Sequence, residues 1–264
     1  MTERILSGVR VGAEAVGERV YGMVQDLGAT FTLFLQTLSW AVRPPYEIRS
    51  IVKQMEEVGV RSMPVVLVTA TFTGMVLALQ SYSGFERFGA TSLVGTVVAL
   101  SLTRELGPVF AGLMVSGRVG ASMAAELGTM KVTEQIDALV TLATNPVKYL
   151  VVPRVVAATI VLPILVVFAD LVGILGGYFV SVYLMGANPY VYISKTYQFL
   201  EFKDIYSGLL KAGVFGMLIS LISCHHGFIA EGGAEGVGRA TTRAVVTSSM
   251  MVLISDYFMT SLLF

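Results

Sequence analysis

Apolar positions fill five long stretches of this chain, 62–85, 93–115, 155–183, 208–228 and 244–264, and the segments between them hold most of the charge. A helix needs about 20 mostly apolar residues to cross a bilayer. Each stretch therefore predicts one transmembrane helix. A sixth run, 27–42, is apolar but short and ends in Trp40, Arg43 and Pro44-Pro45, which suits an interfacial or re-entrant anchor. Before it, Ile5, Val9, Val16 and Val20 share one helical face, with Arg4, Arg10, Glu14, Glu18 and Arg19 around the rest. Residues 1–45 thus read as an amphipathic, interfacial anchor, and 46–61 as a charged helical connector. The segment 118–148 reads as a hairpin, 186–206 as a polar aromatic loop at headgroup level, and 229–243 as a glycine-rich flexible turn. The predicted fold is all-α: one polytopic membrane domain over 1–264 with an N-terminal interfacial helix and five spans.

Composition agrees. Of 264 residues, 55% are hydrophobic and 14% charged, with mean hydropathy +0.75, whereas soluble domains carry about 25% charged residues. Zero net charge gives a nucleic-acid partner no electrostatic support. The one cysteine, Cys224, excludes an intrachain disulfide and a cysteine zinc cluster. The N-terminal residues contain no apolar signal-peptide core, so insertion is expected to rely on the spans themselves. Five spans put the termini on opposite sides. With the N-terminus inside, thirteen Lys and Arg lie on the inner side and four (Arg87, Lys195, Lys203, Lys211) on the outer. The positive-inside rule then makes the 118–148 hairpin cytoplasmic and the C-terminus periplasmic.

Several features could carry chemistry. Arg104 and Glu105 interrupt the second span, where a mid-bilayer charge costs roughly 3 kcal/mol unless paired or wetted. Pro108 cannot donate to the Arg104 carbonyl, so a kink is expected there. Two readings stand: the wall of a polar-lined pocket for an amphiphile, or a structural ion pair locking two helices. Asp170 and Asp256 are single acids inside spans, expected to hydrogen-bond between helices, with Asp256 near the outer interface. The small-residue ladder Ala169, Gly173, Gly177 invites close approach of another helix. In the hairpin, Thr133 can cap a short helix with Ile136, Leu139 and Val140 on one face and Glu134, Gln135 and Asp137 opposite. This suits docking of a soluble subunit or a linker helix lying on the membrane. Cys224-His225-His226 reads as an interfacial polar cluster, since adjacent histidines splay around a helix. The chain contains no Gly-Lys dipeptide and hence no P-loop. It also lacks a G-x-S-x-G or H-E-x-x-H motif, so no enzymatic activity, cofactor or metal is expected of this subunit.

The stretches GMVLALQ (74–80), ALSLTRELGPVFAGLMVSGRVGASMAAELGTMKVTEQIDAL (99–139), NPVKYLVVPR (145–154), LPILVVFADLVGILGG (162–177) and GRATTRAVVTSSM (238–250) resemble the MlaE family, the permease subunits of Mla-type lipid ABC transporters that work with MCE proteins. The resemblance covers most of the chain from about Gly74. Cys224-His225-His226 lies outside the family pattern. The resemblance implies an inner-membrane homodimer with a phospholipid pocket at the dimer axis, here Leu77, Leu79, Tyr82, Arg104, Glu105 and Val109. It implies a separate cytoplasmic ABC ATPase docked on a coupling hairpin, here Glu126, Gly128, Thr133, Glu134, Gln135, Asp137 and Leu139. It further implies a periplasmic MCE ring over 186–206, a STAS-domain regulator, and a role in outer-membrane lipid asymmetry. A proton-coupled secondary transporter using Glu105, Asp170 and Asp256, and a non-transporting scaffold, are the competing classes. The lack of an internal repeat weighs against the first.

Overall fold

The structure, a computed structural model, describes residues 2–45 and 47–263, with side chains for all of these except 2–20 and 23. The predicted apolar face of Ile5, Val9, Val16 and Val20 lies outside the described side chains. Helix accounts for 88% of the chain and no strand occurs among the described residues, so the fold is all-α. Helices α1 (Thr2–Ala41), α2 (Ile48–Val58) and α3 (Met63–Glu86) lead into a long, nearly continuous helix. This consists of α4 (Val94–Ser101), α5 (Gly107–Val115) and α6 (Ala121–Val132), joined by π-helical turns at Leu102–Leu106 and Ser116–Gly120. Then follow α7 (Gln135–Thr141), α8 (Val152–Phe179), α9 (Pro189–Phe199), α10 (Phe202–Phe228) and α11 (Gly233–Leu263). Five of these helical units are long and apolar enough to cross a membrane. The run 27–42 lies inside the 40-residue α1, which is not among them.

Three buried clusters stack along the bundle. The middle one joins α2, α3, α5, α8, α10 and α11 through Val58, Val66, Val115, Leu162, Phe215 and Val252. A second, at the hairpin end, seats Leu33 of α1 and Ile136 of α7 against Leu127, Leu150 and Leu221. The third, at the far end, gathers Ala78, Val94, Val98, Leu102, Val180 and Tyr192. Tyr192 ties α9 down, its hydroxyl 3.4 Å from the Ile174 carbonyl. Burial pushes its phenol above the ordinary tyrosine value, which keeps the O–H a donor.

Backbones meet where glycines remove the side chain. A Cβ on Gly74 would stand 2.0 Å from the Gly173 carbonyl oxygen, so the ladder on α8 meets α3. The same holds where α10 crosses the first π-helical turn, because a Cβ on Gly208 would lie 2.0 Å from the Thr103 oxygen.

Several sequence expectations give way to the structure. The second apolar stretch does not leave its helix at Ser116-Gly117-Arg118. Its polar groups are satisfied internally, with Ser116 Oγ 2.6 Å from Ser248 Oγ. Arg118 Nη1 donates to Ser62 Oγ at 2.8 Å and to the Glu57 carbonyl at 3.1 Å, so the helix runs on to Val132. The loop 186–206 contains the 11-residue helix α9, capped by the Asn188 side chain, which accepts from the Tyr190 and Val191 N–H groups. The glycine-rich turn shrinks to residues 229–232, with Gly232 at φ +86°, and α11 begins at Gly233.

Candidate functional site

Pro108 decides the geometry of the intramembrane charges. Having no N–H, it leaves the Arg104 carbonyl without its helical donor. The π-helical turn Leu102–Leu106 precedes it, and Lys211 of α10 fills the gap, its Nζ donating to the Arg104 oxygen at 3.0 Å. The lysine is fully buried. Its Nζ also donates to Glu105 Oε2 at 2.5 Å and to Thr260 Oγ1 at 2.7 Å. It lies 3.1 Å from Asp256 Oδ1, within ion-pair distance but outside hydrogen-bond geometry. Thr260 Oγ1 in turn sits 3.1 Å from Glu105 Oε2. One ammonium thus binds α10 to the π-helical turn and to α11. An unpaired charge so deep would be costly, so this arrangement answers a strong energetic demand.

Arg104 belongs to a second pair. Its Nε donates to Asp204 Oδ1 at 2.7 Å, and its Nη2 lies at ion-pair distance, 2.7 Å, from the same oxygen. Asp204, 1% exposed, uses its other oxygen to accept the Glu201 N–H at 3.0 Å, completing the capping box that starts α10. Arg104 and Glu105 are therefore not partners of one another. Each is claimed by a different level of the same helix, and the Arg104 side chain keeps about a third of its surface exposed.

Sequence reasoning missed the centre of this site. Lys211, assigned to the outer charges, is buried inside the bundle. It is the tenth residue of α10 (Phe202–Phe228), about 14 Å from the helix start at 1.5 Å per residue. Asp256 pairs with Lys211 of α10 and belongs to this buried network. Asp170 forms no predicted interhelical bond: its Oδ1 is buried, without a partner among the described residues. It abuts Gly107, where a Cβ would stand 2.0 Å from it.

The six proposed pocket residues do not line one cavity of the single chain. Leu77 and Tyr82 pack on the far-end cluster, Val109 packs on the middle one, and Leu79 is exposed. A narrow crevice between α3, α5 and α8, with room for about 10 Å³, is lined instead by Val66, Thr69, Thr73, Leu106, Gly107 and Phe110 among others.

The hairpin divides into braced and open residues. Glu126 accepts from Arg154 Nη2 at 2.9 Å, and Asp137 from Lys131 at 3.1 Å. Gly128 lies against Ala230 and Val237, and Leu139 packs on the hairpin-end core. Thr133 does not cap the next helix. Its hydroxyl donates back to the Thr129 carbonyl and closes α6, while Glu134, at φ 60°, makes the turn into α7. Gln135 Nε2 donates to Thr133 Oγ1 at 3.1 Å. Of the predicted apolar face, Ile136 is buried but Val140 is 56% exposed, and Leu142 beyond it 75%. The tip therefore offers bare apolar side chains beside exposed Glu134, Gln135 and Asp137. Cys224, His225 and His226 are buried, with His225 Nε2 3.9 Å from Asp26 Oδ1 of α1. No metal-ligand group of three forms among the described residues.

The structure thus holds a buried charge network at one end and exposed apolar side chains on the hairpin tip at the other. Comparison with known proteins identifies the type. The family described as Permease MlaE matches residues 51–262. The chain belongs to the MlaE permease family. It is 55% identical over 253 residues to a probable ABC transporter permease protein of Rickettsia felis, covering 96% of this chain and 97% of that protein. A probable ABC transporter permease protein of Synechocystis is 44% identical, covering 91% of both chains. The chloroplastic protein Trigalactosyldiacylglycerol 1 of Arabidopsis thaliana is 40% identical over 216 residues, covering 82% of this chain and 62% of that protein. The MlaE-family chain is thus a multi-pass ABC transporter permease, a type that implies a separate ATPase partner. This assignment displaces the proton-coupled and scaffold readings.

Proposed function

We propose that this permease moves a phospholipid between the inner membrane and a periplasmic MCE-type ring, driven by an ATPase docked on the 118–148 hairpin, and so contributes to outer-membrane lipid asymmetry. The observation that carries the reading is Arg104, a partly exposed guanidinium held by Asp204 at the start of α10. Such a fork suits a lipid phosphate, while apolar helix faces suit acyl chains. The Arabidopsis relative bears the name of a galactosylated diacylglycerol, which fits a glycerolipid cargo.

The pocket would form between two copies of the chain, with Leu77, Leu79, Tyr82, Arg104, Glu105 and Val109 near the dimer axis. Leu79 and the apolar residues Leu253, Tyr257 and Leu262 of α11 are exposed in the single chain and available for such contacts. The orientation follows the positive-inside rule, with the N-terminus and hairpin cytoplasmic and the C-terminus periplasmic. Removing buried Lys211 from the outer count strengthens that bias. A STAS-domain regulator would act on the ATPase.

The ATPase would seat on Glu126, Gly128, Thr133, Glu134, Gln135, Asp137 and Leu139, with Val140 and Leu142 as apolar anchors. Val140→Asp with Leu142→Asp places charge on exposed positions and leaves the core alone. Co-purification with the ATPase partner should fall on the order of tenfold or more, as for anchor residues of an interface, with unchanged thermal stability of the permease. Mass spectrometry of the wild-type complex should detect bound phospholipid. An intact complex in the double variant would sink the docking site, and a complex without lipid would sink the cargo.

A further inference from the structure

The joint between α1 and α2 has a chemistry the transport reading does not use. Trp40 ends α1, and two cations converge on its indole: Arg43, with Cζ 5.1 Å from the ring centroid, and Lys148, with Nζ 5.6 Å from it. The cations come from distant parts of the sequence, Arg43 just after α1 and Lys148 in the π-helical turn Val147–Val151 that opens α8. Lys148 is also held in place, its Nζ donating to the Pro44 carbonyl at 3.0 Å. Neither cation has a carboxylate partner among the described residues, and Glu47, the one acid between 40 and 53, is exposed and pairs with neither. Arg49 and Lys53 continue the positive charge along α2, beside its exposed Ile48 and Val52.

Two like charges drawn to one ring repel each other, and an anion shared between them would relieve that repulsion. The surroundings fix where that anion would come from. Tryptophan favours the headgroup level of a bilayer, the exposed apolar side chains of α2 suit the same depth, and cations near the membrane surface attract anionic lipids. We propose that Trp40, Arg43 and Lys148 form a binding site for the phosphodiester of an anionic phospholipid, in the leaflet that holds the α1–α2 joint. The phosphate oxygens accept from the Arg43 guanidinium and the Lys148 ammonium, and the acyl chains lie along α1 and Ile48. This lipid is a resident one that fastens α1 to the start of α8. It is separate from any cargo at Arg104, which lies towards the other end of the bundle.

Trp40 is the only tryptophan of the chain, so its fluorescence reports this site alone. The purified permease is reconstituted in phosphatidylcholine vesicles containing increasing phosphatidylglycerol with brominated acyl chains, and quenching of Trp40 is compared with that by brominated phosphatidylcholine. Phosphatidylglycerol should be favoured, by roughly fivefold per cation as expected for basic groups at a membrane surface. Arg43→Gln with Lys148→Gln should bring the preference near one. Arg43→Gln alone, at an exposed side chain that holds no carboxylate, should lose about half of it on a logarithmic scale and guards against a folding defect. Arg49→Gln with Lys53→Gln should leave most of it. Equal quenching by the two lipids in the wild type, or equal loss from both pairs of substitutions, overturns the site. Displacement of the brominated lipid by inorganic phosphate in the aqueous phase overturns the assignment to a lipid.

Discussion

Replacing Lys211 with methionine is expected to destabilise the permease by about 3–5 kcal/mol, the range for breaking a buried ion pair from one side. The size follows from what remains. Glu105 and Asp256 would be left side by side without their common cation, and the Arg104 carbonyl that Pro108 leaves unpaired would lose its donor. The remedy is equally specific. Lys211→Met combined with Glu105→Gln and Asp256→Asn removes the stranded charges together and should recover most of the loss, because replacing every member of a buried charge group is often close to neutral. Thermal unfolding in mild detergent, with the fraction of monodisperse protein as a second reading, measures both variants. Equal destabilisation of the single and triple variants would mean that the network is not an electrostatic unit. A triple variant that folds but no longer supports lipid-dependent ATPase activity in the complex would assign the network to the transport cycle as well as to stability.

Gly74→Ala is expected to be among the most damaging single-methyl changes. The added Cβ would meet the Gly173 carbonyl oxygen at 2.0 Å and its Cα at 2.9 Å. Both are backbone atoms of α8, so no rotamer change relieves the clash, and α3 and α8 must separate. Over-packing of this kind costs typically 1–3 kcal/mol and occasionally more, and separating two spanning helices places this case at the upper end. Gly213→Ala is the matched control, since its Cβ would find the Thr159 oxygen at 3.7 Å, an ordinary contact. Thermal unfolding of the two variants under identical conditions should show a large fall for Gly74→Ala and little change for Gly213→Ala. Similar midpoints would show that α3 and α8 do not rely on that contact.

Both predictions depend on positions that look ordinary in the sequence. Gly74 is one of 27 glycines, and only the ladder on α8 hinted that some helix would come close. Lys211 looked like a boundary residue because it follows the aromatic segment near the start of an apolar stretch. Its partners are more than a hundred positions earlier and about fifty later, separations at which sequence pattern has no information. The hairpin shows the same division. Its existence and its amphipathic short helix were legible from polarity, but Thr133 closes α6 rather than opening α7, and Val140 faces outward. A threonine can bond either way, to the following amides or to the carbonyl four residues back, and the left-handed turn at Glu134 is a tertiary outcome.

The sequence by itself determined the fold class, the number of spanning helices, the anomaly at Arg104-Glu105-Pro108 and the family. These depend on composition within a window, because a bilayer penalises each polar residue wherever its neighbours fold. The tertiary structure alone decided which charges pair, how far the second helix continues, and which faces remain open. Charged and hydroxyl groups inside a bundle must find partners on other helices, and several pairings satisfy the same sequence until the helices are packed. The separation of Arg104 from Glu105, one held by Asp204 and the other by Lys211, is the clearest instance: adjacent in the chain, they point to different neighbours because a π-helical turn and a helix crossing at Gly208 put those neighbours there.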